Sequence, residues 1–260
     1  MYLTPMEASI NGIRRVAREH LKEGIVRLFF KQAWAEFIVK YRTRLRFRND
    51  RNDEAVRAYC AMTEAEFEGI NARQKWANWR TIPRSLSGRM PHRPCRAVDL
   101  CSGAGHSTEV LAYYLPRGSE ILGLEFNPIF VAYASRRQYR GSDGQCARVI
   151  FHSQSVLDTF RDSLGRPLAA GSVDLVNSCG ALGIHFDAAS IDRLAAEIAR
   201  VLRTGGLATI DSGTSGRRGI TTDEMIRIFE KHGFEARSFA KSCFLDRFTQ
   251  IGLVKMGARA

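Results

Sequence analysis

Residues 96–105 read Arg-Ala-Val-Asp-Leu-Cys-Ser-Gly-Ala-Gly, and this stretch decides the fold. A short apolar run (Ala97, Val98, Leu100) ends in a Gly-x-Gly turn, and a helical pattern from Ser107 to Ala112 begins directly after it. Strand, glycine turn and helix together describe the first βα unit of a nucleotide-binding α/β sheet. Gly103 and Gly105 let the backbone approach a ligand with no Cβ in the way.

Downstream, strand patterns at 96–101, 120–125, 148–153, 173–179 and 206–211 alternate with helical patterns at 107–115, 128–139, 156–163 and 189–203. Such alternation predicts a parallel sheet with helices on both faces. Gly205-Gly206 is expected to stop the fourth of these helices, and Thr222 to cap a last one ending at Gly233. Segments 235–242 and 248–256 are separated by a turn (Leu245, Asp246, Arg247) too short for a crossover helix, so this pair is expected to be antiparallel.

Upstream the chemistry differs. Residues 5–40 read as helical, with Ile10, Ile13, Val16, Leu21, Ile25, Leu28, Phe29, Ala33, Phe37 and Ile38 recurring at three- and four-residue steps. Tyr41 to Arg48 alternates with period two, which suggests an extended piece or a frayed helix end. Thr63 and Glu66 make a capping box for a helix carrying Phe67, Ile70, Trp76 and Trp79. Pro83, Ser85, Ser87, Gly88, Pro91 and Pro94 then mark a linker, which divides the chain into a helical segment 1–92 and an α/β domain 93–260.

The formal net charge of +12 is uneven. Residues 1–95 carry 19 Lys and Arg against 10 Asp and Glu, and residues 96–260 carry 20 against 17. The basic segment suits an acidic surface, a phosphate-bearing substrate or nucleic acid, and equally a solvated helical face. No run of about 18 apolar residues is present, so no membrane partner is expected. Glu7, Arg14, Arg15, Arg18, Glu19 and Glu23 interrupt any secretory signal. Six scattered cysteines without a C-x-x-C pair read as reduced thiols of a cytoplasmic protein, with no metal site.

A dinucleotide site expects G-x-G-x-x-G/A and an acidic residue about 20 positions on. Here the third small residue is missing, and Glu125 lies 26 positions beyond Asp99. Its carboxylate suits the two neutral hydroxyls of a ribose and would repel a 2′-phosphate.

Residues 96–256 resemble the class I S-adenosylmethionine-dependent methyltransferase family. Val98-Asp-Leu-Cys-Ser-Gly-Ala-Gly105 is similar to the family's D/E-x-G-x-G-x-G signature, with Cys101 in the first glycine position. Leu122 to Pro128 is similar to the acidic second motif. Phe151 to Leu157 is similar to the third, with Gln154 in place of the usual Asp. Val173 to Gly180 is similar to the fourth, and Val201 to Leu207 to the stretch before the fifth strand.

The resemblance implies a Rossmann-like, doubly wound seven-stranded sheet of order 3-2-1-4-5-7-6, with the last pair antiparallel and an N-terminal helical lid. It also implies S-adenosyl-L-methionine as cofactor. Its expected contacts are Asp99, Cys101, Ser102, Gly103, Gly105, Glu125, Phe126, Asn127, Gln154, Ser155, Val156, Asn177 and Ser178, with Arg84 as a partner for the methionine carboxylate. Trp76 and Trp79 either cover the acceptor pocket as part of the lid or pack the helix onto the sheet.

Methyl transfer from a sulfonium needs a nucleophile held close and in line, and a base only if that nucleophile must lose a proton. His185, in the loop after the fourth strand, is the candidate base. Cys179 follows Ser178, so the Pro-Cys pair of cytosine C5 enzymes is absent, and Asn177-Ser-Cys-Gly180 is no N-P-P-Y of the adenine-N6 type. The expected activity is O- or N-methylation of a small molecule, such as a specialised metabolite. The alternatives are an RNA or DNA methyltransferase using the basic N-terminal segment with its Arg42–Arg48 run, and a cofactor-binding scaffold without turnover. For any acceptor, the Gly213–Gly219 loop with Arg217 and Arg218 follows the fifth strand and is expected to border the substrate or to serve as a flexible loop.

Overall fold

The structure is a computed structural model, and it describes residues 10–21, 23–43, 52–213, 219–241 and 248–257. Arg44, Arg46, Arg48, Arg217, Arg218 and the turn Leu245–Arg247 lie outside these residues.

Five helices precede the sheet: α1 (Ile10–His20), α2 (Ile25–Thr43), α3 (Asn52–Cys60), α4 (Glu64–Ile70) and α5 (Ala72–Ser85). The helical pattern over 5–40 is met from Ile10 on by two helices, α1 and α2, with Gly24 just before the second. The capping box forms: Glu66 N–H donates to Thr63 Oγ1 at 3.3 Å, and Thr63 N–H donates to Glu66 Oε2 at 2.8 Å. Pro83 is not in a linker but inside α5, which continues to Ser85.

The sheet comprises β1 (Arg96–Leu100), β2 (Glu120–Glu125), β3 (Arg148–Ser153), β4 (Val173–Ser178), β5 (Leu202–Ser212), β6 (Phe234–Ala240) and β7 (Thr249–Lys255). Their order is β3-β2-β1-β4-β5-β7-β6. β1 to β5 are parallel, and β7 runs antiparallel to both β5 and β6. Between them lie α6 (His106–Tyr114), α7 (Pro128–Ser135), α8 (Leu182–His185), α9 (Ala188–Val201) and α10 (Thr222–Lys231).

Three local expectations are corrected. No helix forms at 156–163, because Gln154 and Ser155 side chains bond the backbone of that segment and compete with helical pairing. Gly205 and Gly206 lie within β5; α9 ends at Val201, where the chain turns extended at Leu202. The cap of α10 is Thr221, not Thr222, and its side chain accepts from Glu224 N–H.

One core fills the sheet face under α9 and α10, with Leu100, Leu124, Phe160, Leu194, Ile198 and Phe229 at its centre. A second core on the other face joins Ala97, Val110, Leu111, Ile121, Leu175 and Leu207 to Val16, Ala17, Trp79, Ile82 and Leu86. The N-terminal helices therefore share a core with the sheet. The inner face of α2 (Leu28, Val39) is buried, while Phe29, Phe37 and Ile38 of the same apolar period are exposed.

Candidate active site

The glycine turn sits at the carboxyl end of β1, where open α/β sheets bind ligands. Cys101, Gly103 and Gly105 all adopt positive φ, of 51°, 51° and 80°. Cys101 is the one described non-glycine residue in that region, and it stands where the resemblance expects glycine. Its thiol packs against the core under α9 and α10, and burial raises its pKa well above the ordinary value. A Cβ on Gly103 would come within 2.7 Å of the Phe67 ring, and one on Gly105 would strike the Tyr139 hydroxyl. The turn is thus packed by α4 on one side and Tyr139 on the other.

Asp99 and Glu125 are both buried, and their partners differ in kind. Asp99 accepts from Ser107 Oγ (2.7 Å), Thr108 Oγ1 (2.5 Å) and Asn177 Nδ2 (2.6 Å). It ties β1 to the first turn of α6 and to β4. Burial pushes its pKa up to about 6, against the pull of those three donors. With its oxygens met by these three donors, Asp99 organises the carboxyl end of β1. Glu125 accepts from the backbone N–H groups of Gly103 (3.0 Å) and Asn127 (2.8 Å). The Tyr59 hydroxyl of α3 is its third partner. Burial raises the pKa of both Glu125 and Tyr59. Tyr59 also meets Phe126, Phe67 and Phe130 with ring centroids 4.9–5.6 Å apart.

Three buried polar atoms near these carboxylates have no hydrogen-bond partner: Ser102 Oγ, Asn127 Nδ2 and Asn177 Oδ1. They belong to the ends of β1, β2 and β4. Buried polar atoms without partners are costly, and a cluster of them at one sheet edge fits a polar ligand. The donor and acceptor set, with Glu125, fits the ribose and amino-acid groups of S-adenosylmethionine.

Other expected contacts are placed differently. Gln154 Oε1 accepts from Arg161 N–H (2.8 Å) and its Nε2 donates to Ser155 O (3.1 Å), so the side chain organises its own loop. Ser155 Oγ accepts from Leu157 N–H at 3.2 Å, and Val156 is buried in the core. Arg84 donates to Lys241 O at 2.8 Å, beyond the end of edge strand β6. That strand is four places from β1, about 19 Å at ordinary strand spacing, so Arg84 does not reach the glycine turn. Trp79 stacks on His20 (3.9 Å), and Trp76 packs with Leu28 and Ala72 under the Arg80 guanidinium. Both tryptophans join helices; neither is an exposed lid residue.

Two features escaped the sequence reading. Asp211, at the end of β5, accepts from Ser178 Oγ (3.0 Å), Leu182 N–H (3.2 Å) and Gly183 N–H (3.0 Å). It clasps the loop carrying His185. An acid ending the apolar run Leu207–Ile210 was the available signal. His185 retains solvent contact, yet the protein around it lowers its pKa while Asp211 pulls the other way. The second feature is a polar clasp from the helical segment to the turn. Arg137 Nη1 donates to Ala104 O (2.6 Å) and to His106 Nδ1 (2.9 Å), while His106 Nε2 meets Glu68 of α4 (2.7 Å). Arg137 Nη2 pairs with Glu109 (2.7 Å) and Lys75 with Glu68. Since Arg137 only donates, His106 carries its proton on Nε2 and gives it to Glu68.

Residues 97–206 match the family model described as a methyltransferase domain. A chain from the complex between the Haloferax volcanii Trm112 methyltransferase activator and a methyltransferase is similar with TM-score 0.57 at 18% identity, over 77% of this chain and 97% of that one. A protein from Listeria monocytogenes described as an S-adenosylmethionine-dependent methyltransferase gives 0.52 at 13% identity, over 72% and 100%. A TehB-like S-adenosylmethionine-dependent methyltransferase from Corynebacterium glutamicum has 21% identity over 66% of this chain and 85% of that one, with TM-score 0.48. No curated protein matches the sequence. The chain has the class I S-adenosylmethionine-dependent methyltransferase fold. The matched segment holds the glycine turn, Glu125 and the ends of β1, β2 and β4.

Proposed function

We propose that the protein transfers a methyl group from S-adenosylmethionine to an oxygen or nitrogen of a small-molecule acceptor. The observation that carries this reading is the set of unmet polar atoms on Ser102, Asn127 and Asn177 beside Glu125, at the ligand-binding edge of this fold. When bound, the sulfonium supplies a methyl group already activated for transfer. Glu125 would accept the ribose hydroxyls in place of the Tyr59 hydroxyl, and Asn127 and Ser102 would donate beside it. Asp99 holds β1, α6 and β4 in register beneath. His185, its loop clasped by Asp211, would remove the acceptor's proton.

The helical cover supports a small acceptor. Phe67 packs against Gly103, Tyr59 meets Glu125, and Glu68 bonds His106 at the start of α6, so the helical segment lies over the turn as a lid over a small acceptor would. Arg42, first of the arginines considered for phosphate contacts, is held by Glu66 at 2.6 and 2.7 Å. Calorimetry with S-adenosylhomocysteine tests the site: Glu125→Gln is expected to weaken binding 10- to 100-fold, and unchanged affinity removes Glu125 from it. His185→Ala is expected to lower kcat with little change in cofactor affinity. Wild-type turnover in that variant leaves proximity alone as the mechanism. Tight, salt-dependent retention on RNA favours a nucleic-acid acceptor instead.

A further inference from the structure

We propose that the outer face of α2 is a docking surface that lays the protein on an anionic phospholipid bilayer. Helix α2 turns Leu28 and Val39 inward and packs Ala35 closely against Gly69 of α4. The opposite side is apolar. Val26, Phe30, Trp34, Phe37 and Tyr41 recur at steps of three and four and form one line along the helix. They are 68%, 68%, 65%, 59% and 80% exposed. At 1.5 Å per residue this line is about 22 Å long. The rings of Trp34, Phe37 and Tyr41 follow one another at 5.8 and 6.4 Å. Large contiguous apolar patches on a surface mark an interaction site.

The charges beside the stripe choose its occupant. Arg27 and Lys31 flank it on one side and Lys40 on the other. Arg27 and Lys31 share the single carboxylate of Glu23. Glu36, the acid within α2, is bonded by Gln32. Across residues 10–43 there are eight Lys and Arg against three Glu. An apolar stripe bordered by cations is the pattern of a helix lying in the membrane interface, with rings in the acyl boundary and ammonium groups among anionic headgroups. Indole and phenol rings suit that depth, since each has an apolar body and a polar tip. A second copy of this chain would set one cationic helix against another. Among the described residues no helix is long and apolar enough to cross a membrane. The expectation of no membrane partner rested on that absence, which bears on crossing a bilayer and not on lying along one.

The full chain is mixed with large unilamellar vesicles of phosphatidylcholine containing 30% phosphatidylserine by design, or of phosphatidylcholine alone, and sedimented. Binding is expected to the anionic vesicles and to weaken at least tenfold in the Trp34→Ser/Phe37→Ser variant, with its melting temperature unchanged. Lys31→Glu/Lys40→Glu is expected to weaken binding and flatten its salt dependence. The chain has three tryptophans, and Trp76 and Trp79 are buried, so a blue shift on adding vesicles reports Trp34. No sedimentation of the wild type overturns the proposal. So does a concentration-dependent dimer, or retention on RNA, that the same variants abolish while vesicles remain unbound.

Discussion

The glycine turn and the outer face of α2 are built on opposite terms. At the turn, both carboxylates and both glycines are packed by the protein: Asp99 has three donors, Glu125 has two backbone N–H groups and Tyr59, and each glycine lies against a ring or a phenol, while Ser102, Asn127 and Asn177 each keep one buried polar atom unmet. On α2, a line of aromatic side chains has water for a neighbour. Substitution should therefore be costly at the first for reasons of structure, and cheap at the second except where a partner is present. A residue's exposure, more than its chemical type, separates the two.

The sharpest way to break that contrast is Gly105→Ala. Its φ of 80° disfavours a side chain, and the added Cβ strikes Tyr139, which is buried and bonded to Ala134 O at 3.0 Å. Chemical denaturation is expected to show a loss of about 2–5 kcal/mol, from left-handed strain together with overpacking. Asp99 should give the next effect, through pH. Its folded pKa of about 6 lies above the ordinary value of 3.8, so the folded state binds the proton more tightly than the unfolded chain. The charged carboxylate is thus a cost that is complete above pH 6 and relieved below about pH 4. Relative to Asp99→Asn, wild-type stability should fall as pH rises from 4 to 6, by up to about 3 kcal/mol. A flat difference would mean that the three donors cancel its burial.

Cys101→Gly probes the same turn with smaller consequence. Relief of left-handed strain, about 1–2 kcal/mol, is offset by loss of a buried thiol worth about 1 kcal/mol, so the net change should stay within about 1 kcal/mol. On α2, Phe30→Ser should change stability least, by less than about 0.5 kcal/mol, because Phe30 is exposed and its ring neighbour Phe29 is exposed too. A loss of several kcal/mol there would show that the face is covered within the protein itself.

The seven-stranded sheet was legible because its signals are local: an apolar run, a turn residue and a helical period recur in order, and the short connection after β6 forces an antiparallel pair. Glu125 and the glycines were legible for the same reason. What was not legible depended on which side of a helix meets the rest of the chain. The period of α2 marked a helix, but Phe29 and Phe37 could be assigned to the core or to water only once Gly69 and Ala35 had fixed the crossing. The part Gln154 plays in its own loop was not legible, because an amide on a loop bonds whatever backbone lies near it. Asp211 acts through loop N–H groups, which carry no side-chain signature.

The shared core across the start of β1 has a consequence for how this protein is inherited and handled. The segment that matches a family model, 97–206, shares its core with residues before it. Val16, Trp79, Ile82 and Leu86 seal the same sheet face as Val110 and Leu175, so a fragment cut at residue 93 would present that face bare. The helical region is not a removable accessory, and melting should register both parts in a single cooperative transition. Exchange of this domain between proteins by recombination would have to carry the first 92 residues with it.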